Sequence, residues 1–152
     1  MDFEVRKARI QDVANIYQLL MGFASSGLLL PRSYSNLYEM LQTFYVVEDN
    51  GELLGTGALQ VAWEDLAEVR SLAVKEQYRA RGVGRAIAEE AQREAKELGI
   101  KKLFALTYVP DFFLKLGYHT VSLDSLPQKI WAVCFNCIHY PNCREIAVVK
   151  EL

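Results

Sequence analysis

The stretch "VRSLAVKEQYRARGVGRAIAEEA", residues 69 to 91, restricts the fold more than any other part of the chain. An apolar run that reads as a strand meets a turn carrying Gly82 and Gly84, and a helix follows over roughly 82 to 98. Val83, Ile87, Ala88, Ala91, Ala95 and Leu98 recur at helical spacing and form its expected inner face. Gly99 is the natural stop, because glycine enters the left-handed conformation that ends helices without steric cost. "KKLFALTY" then reads as another strand, so the unit is a strand–helix–strand crossover.

The remaining elements fit around that unit. "FEVRKARI" reads as a strand, and Val13, Ile16, Tyr17 and Leu20 share a helical face behind Asp12 as a candidate cap. Ser33 is positioned to cap a second helix, whose Leu37, Met40 and Leu41 lie together. "TFYVVED" and "ELLGTGALQVAW" read as strands joined through Asn50-Gly51, a strong short hairpin signal. "AEVRSLAV" is a strand, "DFFLKLG" a short helix and "REIAVVKEL" a closing strand. Hairpins followed by a crossover give an α/β (α+β) class: a mixed, mostly antiparallel central sheet flanked by helices. At 152 residues the expectation is a single domain over residues 1–152, large enough to bury its core without metal or disulfide staples.

Charge narrows the partners. With 17 basic and 19 acidic residues the net charge is −2, which argues against a nucleic-acid platform. The first residues hold no signal-peptide core, and no run approaches the ~18 apolar residues of a membrane span. Three cysteines, all between positions 134 and 143, suit a reducing cytoplasm better than a disulfide scaffold. Any anion site must therefore be local, and the glycine turn offers one. A strand feeding a helix through glycines leaves backbone N–H groups pointing forward, where the helix dipole adds positive potential. Arg79, Arg81 and Arg85 could neutralise a doubly charged group such as a pyrophosphate from the sides; a solvated basic turn is the alternative. There is no Gly-Lys-Ser/Thr for a P-loop and no third glycine in dinucleotide register.

"LAVKEQYRARGVGRAI" resembles the coenzyme-A signature of the GNAT acetyltransferase superfamily, with Arg79, Gly82 and Gly84 at its three defining positions. The order of elements matches that fold over nearly the whole chain. The resemblance implies acetyl-CoA as cosubstrate, with no metal. It places cofactor contacts at Leu72, Ala73, Val74, Arg79, Ala80, Arg81, Gly82, Val83, Gly84, Arg85 and Phe113. Backbone amides from about Arg81 to Arg85 would hold the pyrophosphate, and the pantetheine arm would pair beside Leu72 and Val74. "LLLPRSYSNLYE", "WEDLAEVRSLAV", "ALTYVPDFFLKLGY" and "LPQKIWAVCFNCIHYPNCREIAVV" are similar, together, to the short single-domain N-acetylglutamate synthases of bacterial arginine biosynthesis. The longer relatives carry an amino-acid-kinase domain before this module, and with it their control by arginine.

That resemblance assigns roles. An α-ammonium must lose a proton before its nitrogen can attack a thioester, and Glu68 matches the family position of the general base. With ordinary values of ~4.3 and ~8, that transfer is uphill by roughly 5 kcal/mol unless burial raises the carboxyl. An ion pair with Arg70 is the alternative for Glu68. A backbone N–H near Ser71 or Leu72 would meet the oxyanion. Where many relatives place a proton-donating tyrosine this chain has Phe113, leaving Tyr108, Thr107 or water to protonate the thiolate. Arg32 matches the arginine that clamps the substrate, and Arg70, Ser71 and Lys129 are further substrate-binding candidates, with Arg144 a weaker one. Cys134, Cys137, His139 and Cys143 invite a zinc reading, but Cys137 and His139 are too close for common ligand spacings, and packing of the last strand is the alternative.

The expected partners are therefore acetyl-CoA and an amino acid, glutamate, without nucleic acid or membrane, and a homodimer is the assembly to test. Two rival readings stand beside this one. One is acetylation of a different small amine or a protein N-terminus; the other is a non-catalytic acyl-CoA-binding module.

Overall fold

The computed structural model describes residues 3–27, 29, 31–127, 130 and 145–152. The strands are β1 (Arg6–Lys7), β2 (Phe44–Asp49), β3 (Glu52–Trp63), β4 (Leu66–Val74), β5 (Lys102–Thr107), β6 (His119–Val121) and β7 (Ile146–Glu151). The helices are α1 (Val13–Ser25), α2 (Tyr34–Glu39), α3 (Val83–Leu98) and α4 (Pro110–Leu114). Among the described residues all seven strands form one sheet in the order β1-β2-β3-β4-β5-β7-β6. Every neighbouring pair is antiparallel except β4 and β5, the two strands that the α3 crossover joins. The mixed, mostly antiparallel sheet with flanking helices is thus the observed architecture.

Strand alternation divides the core between two helical layers. Tyr45 and Val47 of β2 point to one face, where Val83, Ile87, Ala91 and Ala95 of α3 cover them along with Leu54, Leu59 and Leu103. Phe44 and Val46 point the other way, onto Val13, Ile16 and Leu20 of α1 and Leu37 of α2. A strand buried on both faces reads as an unbroken apolar run, which is why "FYVV" shows no alternation. A third cluster of Leu66, Phe104, Leu126, Ala147 and Val149 closes the β5–β7 side.

Local signals account for most boundaries. Asn50 (φ 52°) and Gly51 (φ 80°) both take the left-handed conformation of a two-residue hairpin. The Ser33 hydroxyl caps α2 by accepting from the Asn36 N–H at 3.0 Å. Three expectations need correction. "FEVRKARI" is strand only at Arg6 and Lys7, an edge pairing with β2 that the Ala8 N–H extends by donating to the Phe44 carbonyl at 2.9 Å. Asp12 stands at the start of α1 but makes no side-chain cap. Its carboxylate instead accepts from Arg6 at 2.8 and 3.0 Å and from the Arg9 N–H at 2.7 Å, which holds its pKa below the usual range. Leu98 is 57% exposed rather than inward, since the chain reverses at Gly99 (φ 89°) and Ile100 folds back into the core. The Ile100 N–H donates to the Ala95 carbonyl at 2.9 Å, the long bond of a Schellman turn.

One irregularity positions the site. Thr56 pairs with Ala73 and Ala58 with Arg70, so Gly57 opposes both Ser71 and Leu72 in a β-bulge. Ser71 adopts φ 55° there, an uncommon conformation for a residue with a side chain. Gly57 must lack a side chain: a Cβ would lie 2.8 Å from Ile87 Cγ2 and 3.0 Å from Leu72 Cδ1. Gly57→Ala should therefore destabilise the fold by about 1–3 kcal/mol through overpacking, read as a lower urea midpoint at unchanged m-value.

Candidate active site

The parallel ladder between β4 and β5 is short. Leu66, Ala67 and Glu68 pair with Lys102, Leu103 and Phe104, and beyond Glu68–Phe104 no further rung joins the strands among the described residues. The strands diverge from that point, and a cleft of 640 Å³ occupies the opening. Ser71, Leu72 and Val74 line one wall; Leu106, Thr107, Tyr108, Phe112 and Phe113 line the other. Its outer end is the glycine turn, through Arg79, Ala80, Gly82, Val83, Gly84 and Arg85.

That turn has the features of an anion cradle. Gly82 occupies the N-cap of α3 at φ 92° with no side-chain cap, so the first-turn N–H groups of the helix keep no intrahelical partner. A Cβ on Gly82 would meet nothing within 4 Å, so its backbone conformation rather than crowding requires glycine. Gly84 answers to a different constraint: its Cβ would sit 3.2 Å from the Phe112 ring, so glycine there lets α4 close against α3. Ala80 is held at φ 62°, a strained conformation of the kind that collects at ligand-binding turns.

The three arginines do not converge. The Arg79 guanidinium lies 5.5 Å from the Phe23 ring centroid, and that of Arg81 lies 5.7 Å from the Tyr78 ring. Arg85 pairs with Glu89 at 2.6 Å. Arg79 and Arg85 border the cleft, whereas Arg81 is not part of its lining. Ala73 is likewise outside the lining and gives its side chain to the α1–α2 core. Phe113 is buried, 5.1 Å from the Phe112 and Tyr118 rings, and has no proton to donate. The Thr107 hydroxyl accepts from the Val109 N–H at 2.9 Å. Lys129, Arg144, Trp131, Cys134, Cys137, His139 and Cys143 lie outside the described residues.

Next to the closed end of the cleft, and touching its lining through Arg70 and Ser71, stands a cluster of half-buried charge. Glu68 is the last β4 residue paired to β5, and its side chain is only 18% exposed. Burial raises its pKa, against the opposing pull of Arg70 and Arg32. The Glu68–Arg70 ion pair exists but is long at 3.9 Å; Arg70 makes its shorter contact, 2.9 Å, with the Gln60 side-chain oxygen. Arg32 is half-buried, with its guanidinium 5.1 Å from the Phe44 ring centroid. It donates to the Ser71 hydroxyl at 2.9 Å and to the Asn36 side-chain oxygen at 2.7 Å, both neutral groups. Among the described residues no carboxylate forms an ion pair with it, and burial together with the charge of Arg70 lowers its pKa to about 10. A guanidinium held this way is a ready partner for an incoming carboxylate.

One member of the cluster was missed in the sequence. Glu145 immediately precedes β7, and burial and the charge of Glu68 push its pKa up to about 7. A signal was present: Glu145 is in phase with the buried Ala147 and Val149, an unusual position for a carboxylate.

A splayed parallel pair ending on a glycine-opened helix marks the chain as an acyltransferase, and the comparison of sequences agrees. Residues 11–118 match the acetyltransferase (GNAT) family, and the chain belongs to it. Nearer relatives divide between the uncharacterised and the named. An uncharacterised N-acetyltransferase of Chlorobaculum tepidum is 39% identical over 97% of this chain and 96% of its own length. An amino-acid acetyltransferase of Mycobacterium tuberculosis is 38% identical over 84% of this chain and 74% of its own length. Longer amino-acid acetyltransferases, such as that of Mannheimia succiniciproducens, match over 29% of their length. Among solved structures, N-acetylglutamate synthase from Neisseria gonorrhoeae complexed with coenzyme A and N-acetyl-glutamate superposes with a TM-score of 0.90 at 28% identity, covering 100% of this chain and 35% of that one. Rv2747 from Mycobacterium tuberculosis, in complex with CoA and NLQ, superposes with a TM-score of 0.86 at 28% identity, covering 98% and 99%.

The half-buried Glu145 carboxyl carries a stability consequence. The folded pKa of Glu145 lies above its unfolded value of about 4.3, so stability is highest below that value and is lost as pH rises through about 7. Glu145→Gln should raise the urea midpoint at pH 8, and the gain should shrink toward zero as the pH falls to about 4.

Proposed function

We propose that this chain transfers the acetyl group of acetyl-CoA to the α-amino group of L-glutamate, the reaction that opens arginine biosynthesis in bacteria. The observation that carries the substrate assignment is Arg32: a half-buried guanidinium that, among the described residues, bonds only to neutral side chains, one of them Ser71 in the cleft wall, within reach of the charge of Glu68. The names of the relatives and of the superposed synthase support the same reading.

The cleft fits acetyl-CoA. The uncapped first turn of α3 would take the pyrophosphate, and the unpaired edge of β4 past Glu68 supplies amide groups for the pantetheine arm. Arg32 would bind a carboxylate of glutamate, with Arg70 and Ser71 beside it. Glu68 accepts the proton of the α-ammonium, and the freed nitrogen attacks the thioester carbonyl. A β4 backbone N–H near Leu72, re-aimed by the bulge at Ser71, meets the oxyanion. The C–S bond breaks, the thiolate leaves with a proton from water or Tyr108, and the amide nitrogen gives up its second proton to that same group. With an ordinary thiol pKa of ~8.5, the thiolate is a tolerable leaving group.

Three measurements test this reading. Glutamate should release free thiol from acetyl-CoA faster than aspartate, glutamine or lysine; equal rates across the four would remove the substrate assignment. Glu68→Gln should lower turnover by roughly 10²–10⁴ while leaving acetyl-CoA binding by calorimetry nearly unchanged. Full activity in that variant would exclude Glu68 as the base. Reversing Arg32 to Glu should raise the KM for glutamate far more than that for acetyl-CoA, and an equal rise in both would exclude the clamp.

A further inference from the structure

We propose that Gln60 is a positioning residue for acyl transfer: its side-chain oxygen takes the hydrogen bond of Arg70 and so keeps that guanidinium off the Glu68 carboxylate, which stays free to accept a proton. The inference rests on the reading of Glu68 as the general base.

The β3–β4 register brings the three side chains together. Gln60 stands directly opposite Glu68, and Ala58 opposite Arg70. Residues facing each other across an antiparallel pair project to the same side of the sheet, and their diagonal neighbours stay within reach of long side chains. Leu59, Ala67 and Val69 turn toward the α3 layer, so Gln60, Glu68 and Arg70 share the opposite face with Ala58 of the α1–α2 core. One guanidinium nitrogen decides between the two acceptors. Arg70 Nη1 donates to Gln60 Oε1 at 2.9 Å and stands 3.9 Å from Glu68 Oε1, beyond hydrogen-bond distance. Gln60 itself lies outside the cleft lining, whereas Arg70 belongs to it. A change at Gln60 therefore reaches the chemistry through Arg70.

A guanidinium hydrogen bond lowers a carboxyl pKa further than charge alone, because only the ionised carboxylate gains its full strength. Glu68 feels the charges of Arg70 and Arg32 without such a bond, and burial outweighs both. Each neighbouring element has a part in this balance. Arg32, before α2, spends its bonds on Ser71 and Asn36, β5 offers the uncharged Phe104, and Glu145, before β7, feels the charge of Glu68. On β3 the amide of Gln60 does the corresponding work for Arg70. A guanidinium only donates, so the amide must present its oxygen to it. Without that oxygen, the next partner of the same nitrogen is the Glu68 carboxylate. Closing that contact would make a charge-assisted hydrogen bond and leave Glu68 the weaker base. A neutral acceptor also leaves the charge of Arg70 uncancelled beside the cleft. The step affected is the proton transfer from the acceptor ammonium to Glu68, and no bond to Gln60 or Arg70 is made or broken covalently.

The test is the pH dependence of kcat/KM in Gln60→Met, which keeps the length of the side chain but removes the oxygen, with whichever amino acid is turned over fastest. The acid limb of that profile reports the essential base of the free enzyme. It should move to lower pH, and the plateau should fall by up to about tenfold, since one unit of basicity is at most a factor of ten. Gln60→Ala should move the limb the same way, whereas Gln60→Glu, which keeps an acceptor for Arg70, should not lower it. An unmoved limb in Gln60→Met or Gln60→Ala would reduce Gln60 to a structural residue and overturn the proposal. A second measurement does not depend on turnover. In carbon-13 NMR of the glutamate-labelled full chain, the carboxyl signal that disappears in Glu68→Gln should titrate at lower pH in Gln60→Met than in wild type. In an Arg70→Gln background no guanidinium is left to release, so the same substitution should leave that titration in place. An equal shift in both backgrounds, or none in either, would overturn the proposal. If Glu68→Gln proves fully active, the base reading falls and this role with it, while the NMR titrations still decide whether Gln60 holds Arg70 away.

Discussion

Everything in the site follows from the place where β4 and β5 stop pairing. A parallel ladder of three rungs closes the sheet at Glu68–Phe104, and beyond it the strands part around a cleft. Backbone groups rarely go unpaired inside a protein, so an opening in the middle of a sheet asks for a ligand with amides of its own. The bulge at Ser71 and the side-chain-free Gly57 beneath it bend β4 away from β5 at the start of that opening. The α3 crossover then fixes the far end, because the strand that leaves the sheet must pass through the glycine turn to re-enter it as β5.

The same geometry gathers charge where the sheet is still closed. Glu68 and Arg70 alternate onto one face of β4; Arg32 reaches in before α2, and Glu145 from the start of β7. Four half-buried ionisable groups are not a stabilising device, since desolvation offsets much of what pairing contributes. Arg32 has neutral partners, Arg70 its shorter bond to Gln60, and Glu145 a raised pKa. These are groups held apart from their best ionic partners, which suits a pocket that must receive an ammonium and a carboxylate together.

The glycine turn shows how one motif can serve several constraints. Gly82 is required by its left-handed conformation and Gly84 by the approach of Phe112, so only the first opens the helix terminus directly. The arginines around them are spread over Phe23, Tyr78 and Glu89. The cradle is thus chiefly backbone, with Arg79 and Arg85 at its rim.

The sequence alone determined the crossover, the hairpin at Asn50-Gly51 and most of the inner face of α3, because periodicity and turn chemistry act over a few residues. It also singled out Glu68 and Arg32 as candidates for base and clamp, through the resemblance to the family rather than through spacing. Only the tertiary structure decided which charges meet. Glu145 lies 77 positions from Glu68 in the chain, and only the strand order sets β4 and β7 on either side of β5. Leu98 and Asp12 fit their local patterns equally well, yet one is displaced by Ile100 and the other drawn to Arg6. Local pattern fixes which face a side chain takes, whereas its partners come from strands that only the folded sheet brings together.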